Sequence, residues 1–213
     1  MKAPHLFRAS GLSRIMTEPK SKSETLSVGA KTEITRIAKE MIYGFRSSFG
    51  SKETEKGTLV EQASIDLLNS VLFTSYEKNT ERKTNAWLSG ECDIDTGRKI
   101  IDIKSPWSLS TFPLRAADAE DKGYEWQARA YMMLWGRNEA EIAYCMVDTP
   151  EHLIGYEDPE IHHVSHIDEA LRVTRVKITR DKALEAKIIE KVEAANAYLY
   201  QLIWEVNKEH GLE

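Results

Sequence analysis

The hydrophobic positions in the first third of the chain recur with the period of an α-helix. Between residues 29 and 47, apolar side chains are spaced three and four positions apart, which predicts a helix with one buried stripe. A shorter helix is expected in residues 9–20, where Pro19 ends it, and a third helix over about residues 56–72. The stripe of the long helix comprises Ile34, Ile37, Ala38, Met41, Ile42 and Phe45.

From Phe73 onward the pattern is typical of β-strands. Strands are expected at FTSYEK, AWLSGECDI and RKIIDIK, and the last two form a hairpin through the turn at residues 95–97. A helix over residues 124–135 followed by the strand EIAYCMVD indicates a crossover connection. A strand at RVTRVKI and a long helix over about residues 181–210, with Gly211 at its end, complete the chain.

These elements predict an α/β fold in which helices flank a central mixed β-sheet. The chain has 213 residues, and no linker rich in proline, glycine or serine divides it. One domain over residues 1–213 is therefore expected.

Composition narrows the class of protein. The charged fraction of 30% and the hydrophobic fraction of 41% are typical of a soluble globular protein. The apolar run IAYCMV is too short to span a bilayer and MKAPHLFRASGLSRIM lacks the apolar centre of a signal peptide, so we expect a cytoplasmic protein without a membrane partner. Cys92 and Cys145 lack the spacing of metal ligands, and both are expected to be buried free thiols.

The net charge of −5 argues against a protein covered in positive charge, the usual footprint of nonspecific nucleic-acid binders. A local basic groove remains compatible with it. Acidic residues gathered around divalent cations also make the formal charge misleading, because a bound metal reverses the sign of the local field.

Two charged residues interrupt the most apolar strand of the sequence. Ile100, Ile101 and Ile103 predict burial, whereas Asp102 and Lys104 lie two positions apart. In an extended chain both of these side chains point to the same face of the sheet. Burying such a pair costs free energy, which indicates a function.

A third charged residue, Asp93, approaches this pair across the predicted hairpin. Its carboxylate and that of Asp102 repel each other unless a cation lies between them, and Mg²⁺ prefers oxygen ligands of this kind. Lys104 would lie beside the metal, where it can orient a water molecule that attacks phosphorus. The arrangement predicts hydrolysis of a phosphodiester bond.

The same residues resemble the core motif of the PD-(D/E)XK nuclease superfamily, an acidic residue followed after a spacer by Asp/Glu-x-Lys. Here the motif is Asp93 followed by Asp102, Ile103 and Lys104. Cys92 takes the place of the proline in the family name, at a position that varies within the superfamily.

Two further motifs support the resemblance. Glu61 follows Gly57 by four residues on a predicted helix and looks like the upstream acidic motif of the RecB and phage exonuclease branches. Gln127 and Tyr131, in GYEWQARAYMMLW, are similar to the fourth motif of those branches. All four motifs occur in the expected order.

Within the superfamily, the sequence most resembles the phage lambda exonuclease and YqaJ-like branch. Ala9 and Ser10 look like its N-terminal Ala-Ser motif, and IKSPW is similar to the sequence after its catalytic lysine. The chain departs from the branch at two positions. Glu91 replaces a serine that helps to bind the 5′-phosphate, and Arg8 lies closer to the serine than the branch's arginine does.

The resemblance implies a Mg²⁺-dependent DNA exonuclease, with Mn²⁺ able to substitute, that digests one strand of linear duplex DNA from a free 5′ end. It further implies a homotrimeric ring and a single-strand annealing protein as partner in phage recombination. Metal ligands would be Glu61, Asp93, Asp102 and the Ile103 carbonyl, and catalytic residues would also include Lys104 and Gln127. Contacts to DNA or its 5′-phosphate are expected from Arg8, Ser10, Arg14, Trp107 and Tyr131.

Two alternatives remain open from the sequence. One is another nuclease of the superfamily, such as an endonuclease, a RecB-like enzyme or a CRISPR-associated enzyme. The CRISPR-associated enzyme would normally carry an iron–sulfur cluster, which needs more cysteines than the two present. The other is a catalytically inactive DNA-binding assembly protein, which would be expected to have lost a ligand or the lysine. The histidines of HHVSH, at positions 162, 163 and 166, are interpreted as a surface segment without a role.

Overall fold

The computed structural model describes residues 4–47 and 50–212 of the chain. Its α-helices are α1 (Val28–Tyr43), α2 (Lys52–Leu59), α3 (Glu61–Leu72), α4 (Lys122–Trp135), α5 (Glu151–Ile154) and α6 (Lys182–Glu209). Its strands are β1 (Phe7–Arg8), β2 (Lys83–Thr84), β3 (Leu88–Gly90), β4 (Ile94–Asp95), β5 (Lys99–Lys104), β6 (Glu139–Cys145) and β7 (Val173–Thr179). Short 3₁₀ helices cover Ala9–Arg14, Leu109–Thr111, Ala116–Asp118, Pro159–Ile161 and Glu169–Arg172.

A four-stranded mixed sheet in the order β4-β5-β6-β7 forms the centre of the molecule. The pair β4–β5 is the predicted hairpin, whereas β5 and β6 run parallel because α4 connects them. A smaller three-stranded sheet in the order β1-β3-β2 lies beside it. The predicted α/β class with a mixed sheet and flanking helices is confirmed.

Helices cover both faces of the central sheet. Ile100 of β5 packs in one apolar cluster with residues of α1, α4 and α6, while Ile101 and Ile103 pack in another with residues of α3. Side chains alternate along a strand, so Asp102 shares the face of Ile100 and points toward α4. Its neighbour on β6 is the buried Ile142. The charged residue therefore sits inside an apolar layer.

Several sequence predictions are confirmed with small shifts of their ends. The predicted helices at 29–47, 124–135 and 181–210 correspond to α1, α4 and α6. Left-handed backbone ends two of these helices, at Gly44 and at Gly136, where glycine adopts a positive φ without strain. Gly211, just after the end of α6, has a φ of 65° as its position predicted.

Other predictions were wrong. The helix expected over residues 56–72 is two helices that meet at Val60, so Glu61 begins a helix instead of lying within one. Residues 73–78 form no strand. Phe73 has a left-handed backbone conformation, and the side-chain oxygen of Asn69 accepts hydrogen bonds from Thr74 and Tyr76. The short N-terminal helix expected in residues 9–20 is a 3₁₀ helix that covers only Ala9–Arg14.

The strand expected at residues 86–94 is divided between the two sheets. Residues of β3 pair with β1 and β2, and only Ile94 and Asp95 pair with β5. Between them, Asn79 donates from its side chain to the Cys92 carbonyl at 2.9 Å and from its backbone N–H to the Asp93 carbonyl at 2.7 Å. These bonds occupy the backbone groups that a continuous strand would use.

No helix within residues 4–47 and 50–212 has the length and apolar character needed to cross a membrane. The two cysteines of the chain are free, and their side chains are buried with 1% exposure at Cys92 and none at Cys145.

We expect both thiols to be unreactive in the native protein. Burial raises the pKa of each thiol to about 12, so little thiolate is present at neutral pH. Treatment with a thiol reagent at pH 8 should modify neither cysteine until denaturant is added. Rapid modification of either thiol in the folded protein would contradict this burial.

Candidate active site

An open cleft of about 550 Å³ lies where β5 ends. Helix α2 and the start of α3 form one wall, and residues 105–107 and the start of α4 form the other. The cleft brings together most of the residues predicted to carry the chemistry. Its lining includes Glu61, Asp93, Asp102, Ile103, Lys104, Trp107 and Gln127.

Asp102 and Lys104 lie side by side, as their spacing on the strand predicted. The Lys104 Nζ is 2.7 Å from Oδ2 of Asp102, an ion-pair contact, and this buried oxygen has no hydrogen-bond partner among the described residues. Burial lowers the pKa of Lys104, but the close contact with Asp102 and the negative charges of Asp102 and Asp93 together outweigh it, so the pKa lies above its usual value. Lys104 also lies 4.2 Å from the ring centre of Tyr124. The ammonium group is therefore held in its charged form.

Asp93 completes a pair of carboxylates. It directly precedes β4, and its Oδ2 accepts a hydrogen bond of 2.6 Å from the backbone N–H of Ile103. Burial, and then the charge of Asp102, raise the pKa of Asp93 well above the usual range. Two carboxylates close together in a low-dielectric site repel each other, and a divalent cation relieves that repulsion. The donor set thus fits a hard cation such as Mg²⁺.

Glu61 lines the same cleft, but its side chain turns toward another partner. It forms an ion pair with Lys78, and both side chains are partly exposed. Among the described residues, no group of three or more His, Cys, Asp or Glu side chains is arranged to hold a metal ion. Glu61 would have to leave Lys78 to join Asp93 and Asp102.

Gln127 links the two key residues of β5 to α4. Its Oε1 accepts from Lys104 Nζ at 3.2 Å, and its Nε2 donates to Asp102 Oδ1 at 3.2 Å and to the Tyr131 hydroxyl at 3.1 Å. Tyr131 is 3% exposed and lies beneath Gln127. The direct contact to DNA that was expected of Tyr131 is therefore blocked by its burial. A Cβ at Gly90 would lie 2.8 Å from the Tyr131 ring, so the close packing needs glycine there.

Trp107 lies at the edge of the cleft but is 9% exposed. Its Nε1 donates to Glu157 at 2.9 Å, and its ring meets His162 edge-on. This leaves little ring surface for the contact to DNA that was expected of Trp107.

The residues predicted to read the DNA end lie in a second cavity of about 760 Å³. It shares no lining residue with the first cleft, and it contains Arg8, Ser10 and Arg14. Glu91 pairs with Arg82 of the same cavity at 3.0 Å, which offsets its charge. Arginines 36, 46 and 82 also line the cavity and were missed in the sequence, because they are far apart along the chain.

Sequence reasoning also missed a buried cluster behind the cleft. Lys56 is fully buried, and its Nζ donates to the carbonyl oxygens of Pro106 at 2.6 Å and Trp107 at 3.1 Å. Burial lowers the pKa of Lys56 to about 8. His162, for which no role was predicted, is fully buried in the same cluster and lies apart from the exposed His166. Helical periodicity gives no signal for a buried lysine, so only the structure reveals it.

Comparison with known proteins gives a consistent result. No protein-family model and no curated protein matches the chain. Among solved structures, a phage-related exonuclease from Haemophilus somnus is 36% identical, with a TM-score of 0.89 over 95% of this chain and 97% of that one.

An alkaline exonuclease from Laribacter hongkongensis shares the fold at 16% identity, with a TM-score of 0.70 over 97% of this chain and 93% of that one. The same enzyme has been solved in complex with dAMP. The identity and coverage of the Haemophilus protein, together with the motif residues gathered in the cleft, show that this chain belongs to the phage-related exonucleases, the lambda-exonuclease-like and YqaJ-like branch of the PD-(D/E)XK superfamily.

Proposed function

We propose that this chain is a Mg²⁺-dependent DNA exonuclease that digests one strand of linear duplex DNA from its 5′ end, with Mn²⁺ able to replace Mg²⁺. One observation carries the proposal: the half-buried Asp93 and the buried Asp102 lie together beside Lys104 in an open cleft. This combination suits hydrolysis of a phosphodiester. The dAMP bound to the Laribacter enzyme, a nucleotide, supports a DNA substrate.

Asp93 and Asp102 would hold the metal ion, with the Ile103 carbonyl and Glu61 completing its ligands. When bound, the ion supplies charge stabilisation for the phosphoryl oxygens and lowers the pKa of a coordinated water molecule. Glu61 lines the same cleft, and its negative charge acts on Asp93. Its ion pair with the half-exposed Lys78 is of a kind that contributes little stability. The cost of turning Glu61 toward the ion is therefore small.

Lys104 would position the attacking water and donate hydrogen bonds to the scissile phosphate. Its ammonium is fixed by contacts to Asp102 and Gln127 from two different elements. Because Gln127 bonds both residues at once, it sets the separation between the carboxylate and the ammonium. A fixed geometry of this kind contributes to rate by orientation.

The second cavity is suited to a terminal 5′-phosphate. Five arginines and two glutamates line it, an excess of positive charge in a chain whose net charge is −5. A terminal phosphate carries more negative charge and more free oxygens than an internal one. Arg8 and Ser10 would bind those oxygens, and Arg14 and Arg46 would add positive charge. Arginine is well suited to phosphate because its donors match the phosphate oxygens in pairs.

The family also suggests how the enzyme is assembled and used. We propose that three copies form a closed ring around DNA, which would keep the enzyme attached between successive cuts. A single-strand annealing protein that receives the remaining strand is the proposed partner in phage recombination.

Removal of the charged groups should abolish cleavage while the fold persists. Asp93→Ala and Asp102→Ala leave the ion without ligands, and Lys104→Ala leaves the water unplaced. We expect each variant to lose at least about a hundredfold in cleavage rate. The assay is digestion of linear duplex DNA over a Mg²⁺ titration, with circular dichroism to confirm folding. Asp66→Ala, on the exposed side of α3, is the control and should keep full activity. Full activity in any of the three variants would refute the assignment.

The reading of the DNA end can be tested by a ratio of rates. We expect the wild-type protein to digest 5′-phosphorylated duplexes faster than 5′-hydroxyl duplexes, and Ser10→Ala and Arg8→Ala to reduce that preference. The exposed Arg115 lies outside both cavities, so Arg115→Ala should keep the wild-type ratio. Duplexes labelled at either end report polarity in the same experiment. If the mutants keep the wild-type ratio, or if wild type shows no preference, the second cavity does not read the end.

The proposed ring predicts a trimeric mass in light scattering at working concentration. A stable monomer would remove the ring from the proposal without affecting the chemistry of the cleft.

A further inference from the structure

The cleft wall that follows Lys104 is held from behind by buried polar groups. Three side chains from separate segments converge on the carbonyl oxygen of Trp107. Lys56 Nζ lies 3.1 Å from this oxygen, Thr149 Oγ1 lies 3.0 Å from it and His162 Nδ1 lies 3.2 Å from it. A buried carbonyl needs a donor, yet three side chains exceed what hydrogen bonding alone requires.

The ring of His162 has polar partners at both nitrogens. Thr149 donates its hydroxyl proton to the Trp107 carbonyl at 3.0 Å and lies 3.1 Å from Nδ1. In the tautomer that carries its proton on Nδ1, the ring donates to the same carbonyl at 3.2 Å. On the other side of the ring, Nε2 lies 3.2 Å from Glu157, the carboxylate that also accepts from Trp107 Nε1. His162 and Glu157 thus hold Trp107 at both its carbonyl and its indole.

The same cluster connects the two walls of the cleft. Lys56 belongs to α2, whose Thr54, Gly57 and Thr58 line one wall, and its ammonium binds the carbonyls of Pro106 and Trp107 in the other. These bonds therefore attach α2 to this one short segment. Lys104, the last residue of β5, directly precedes this segment.

We propose that His162 is a positioning residue of the nuclease site, which holds the Trp107 carbonyl and thereby fixes the cleft wall that follows Lys104. This inference rests on the proposed nuclease function. His162 touches neither substrate nor metal, since it is fully buried and does not line the cleft. His162 acts through Trp107. The proposal thereby assigns a role to one histidine of the HHVSH segment, which the catalytic motifs leave unexplained.

Two substitutions separate positioning from packing. His162→Asn keeps a donor near the position of Nδ1 but does not reach Glu157, whereas His162→Leu fills similar space without any donor. With saturating Mg²⁺, we expect kcat on duplex DNA to fall by about a hundredfold in the leucine variant and by less than about tenfold in the asparagine variant. The Mg²⁺ midpoint should not change. His166→Asn, in the exposed part of the same segment, is the matched control and should behave as wild type.

Hydrogen exchange provides a readout that does not depend on activity. Backbone amides of residues 104–109 should exchange faster in His162→Leu than in wild type, and amides of the distant helix α6 should not. Equal kcat losses in the two variants, or unchanged exchange in this segment, would overturn the positioning role and leave His162 as a packing residue. A wild-type protein that does not cleave DNA would overturn the proposed function, while the exchange result would still decide whether His162 holds the wall.

Discussion

Two carboxylates held close together at the buried end of a strand are the constraint on which the rest of this structure depends. Asp102 is 1% exposed and lies in an apolar layer, where an uncompensated charge costs much free energy. Lys104 and Gln127 contact Asp102 and reduce that cost. The N–H of Ile103 donates to Asp93 and stabilises the second carboxylate. The pKa of Asp93 is nevertheless raised by burial and by its neighbour, so repulsion remains, and a cation would remove it.

The supporting residues can be understood from the same constraint. Charged groups in a low-dielectric site act strongly on one another, so small displacements change their interaction greatly. Gln127 is fixed by Tyr131, whose ring packs against Gly90 too closely for any larger residue. On the other side, Lys56 and His162 hold the segment after the strand. The charged residues of the cleft are thus backed by a frame of buried contacts, which is the kind of support that a precise site needs.

The sequence predicted those features that depend on residues close together along the chain. Helices α1, α4 and α6 follow from a local period, and Asp102 and Lys104 follow from strand alternation. The break at Val60 was missed because the apolar period continues through it. Asn79 divides the strand at residues 86–94 by bonds from a distant segment, which no local pattern contains. The buried His162 and the arginine-lined cavity were missed for the same reason, because both arise only from tertiary proximity.

The central claim is that Asp93 and Asp102 are paired in order to hold a divalent cation. Anomalous X-ray diffraction from crystals grown with Mn²⁺ tests it most directly, because the manganese signal locates the ion without reference to activity. The account predicts a peak in the cleft bonded to both carboxylates, with Glu61 turned away from Lys78 to reach it. A manganese site elsewhere, or no ion between Asp93 and Asp102 in crystals that contain the folded protein at saturating Mn²⁺, would contradict it.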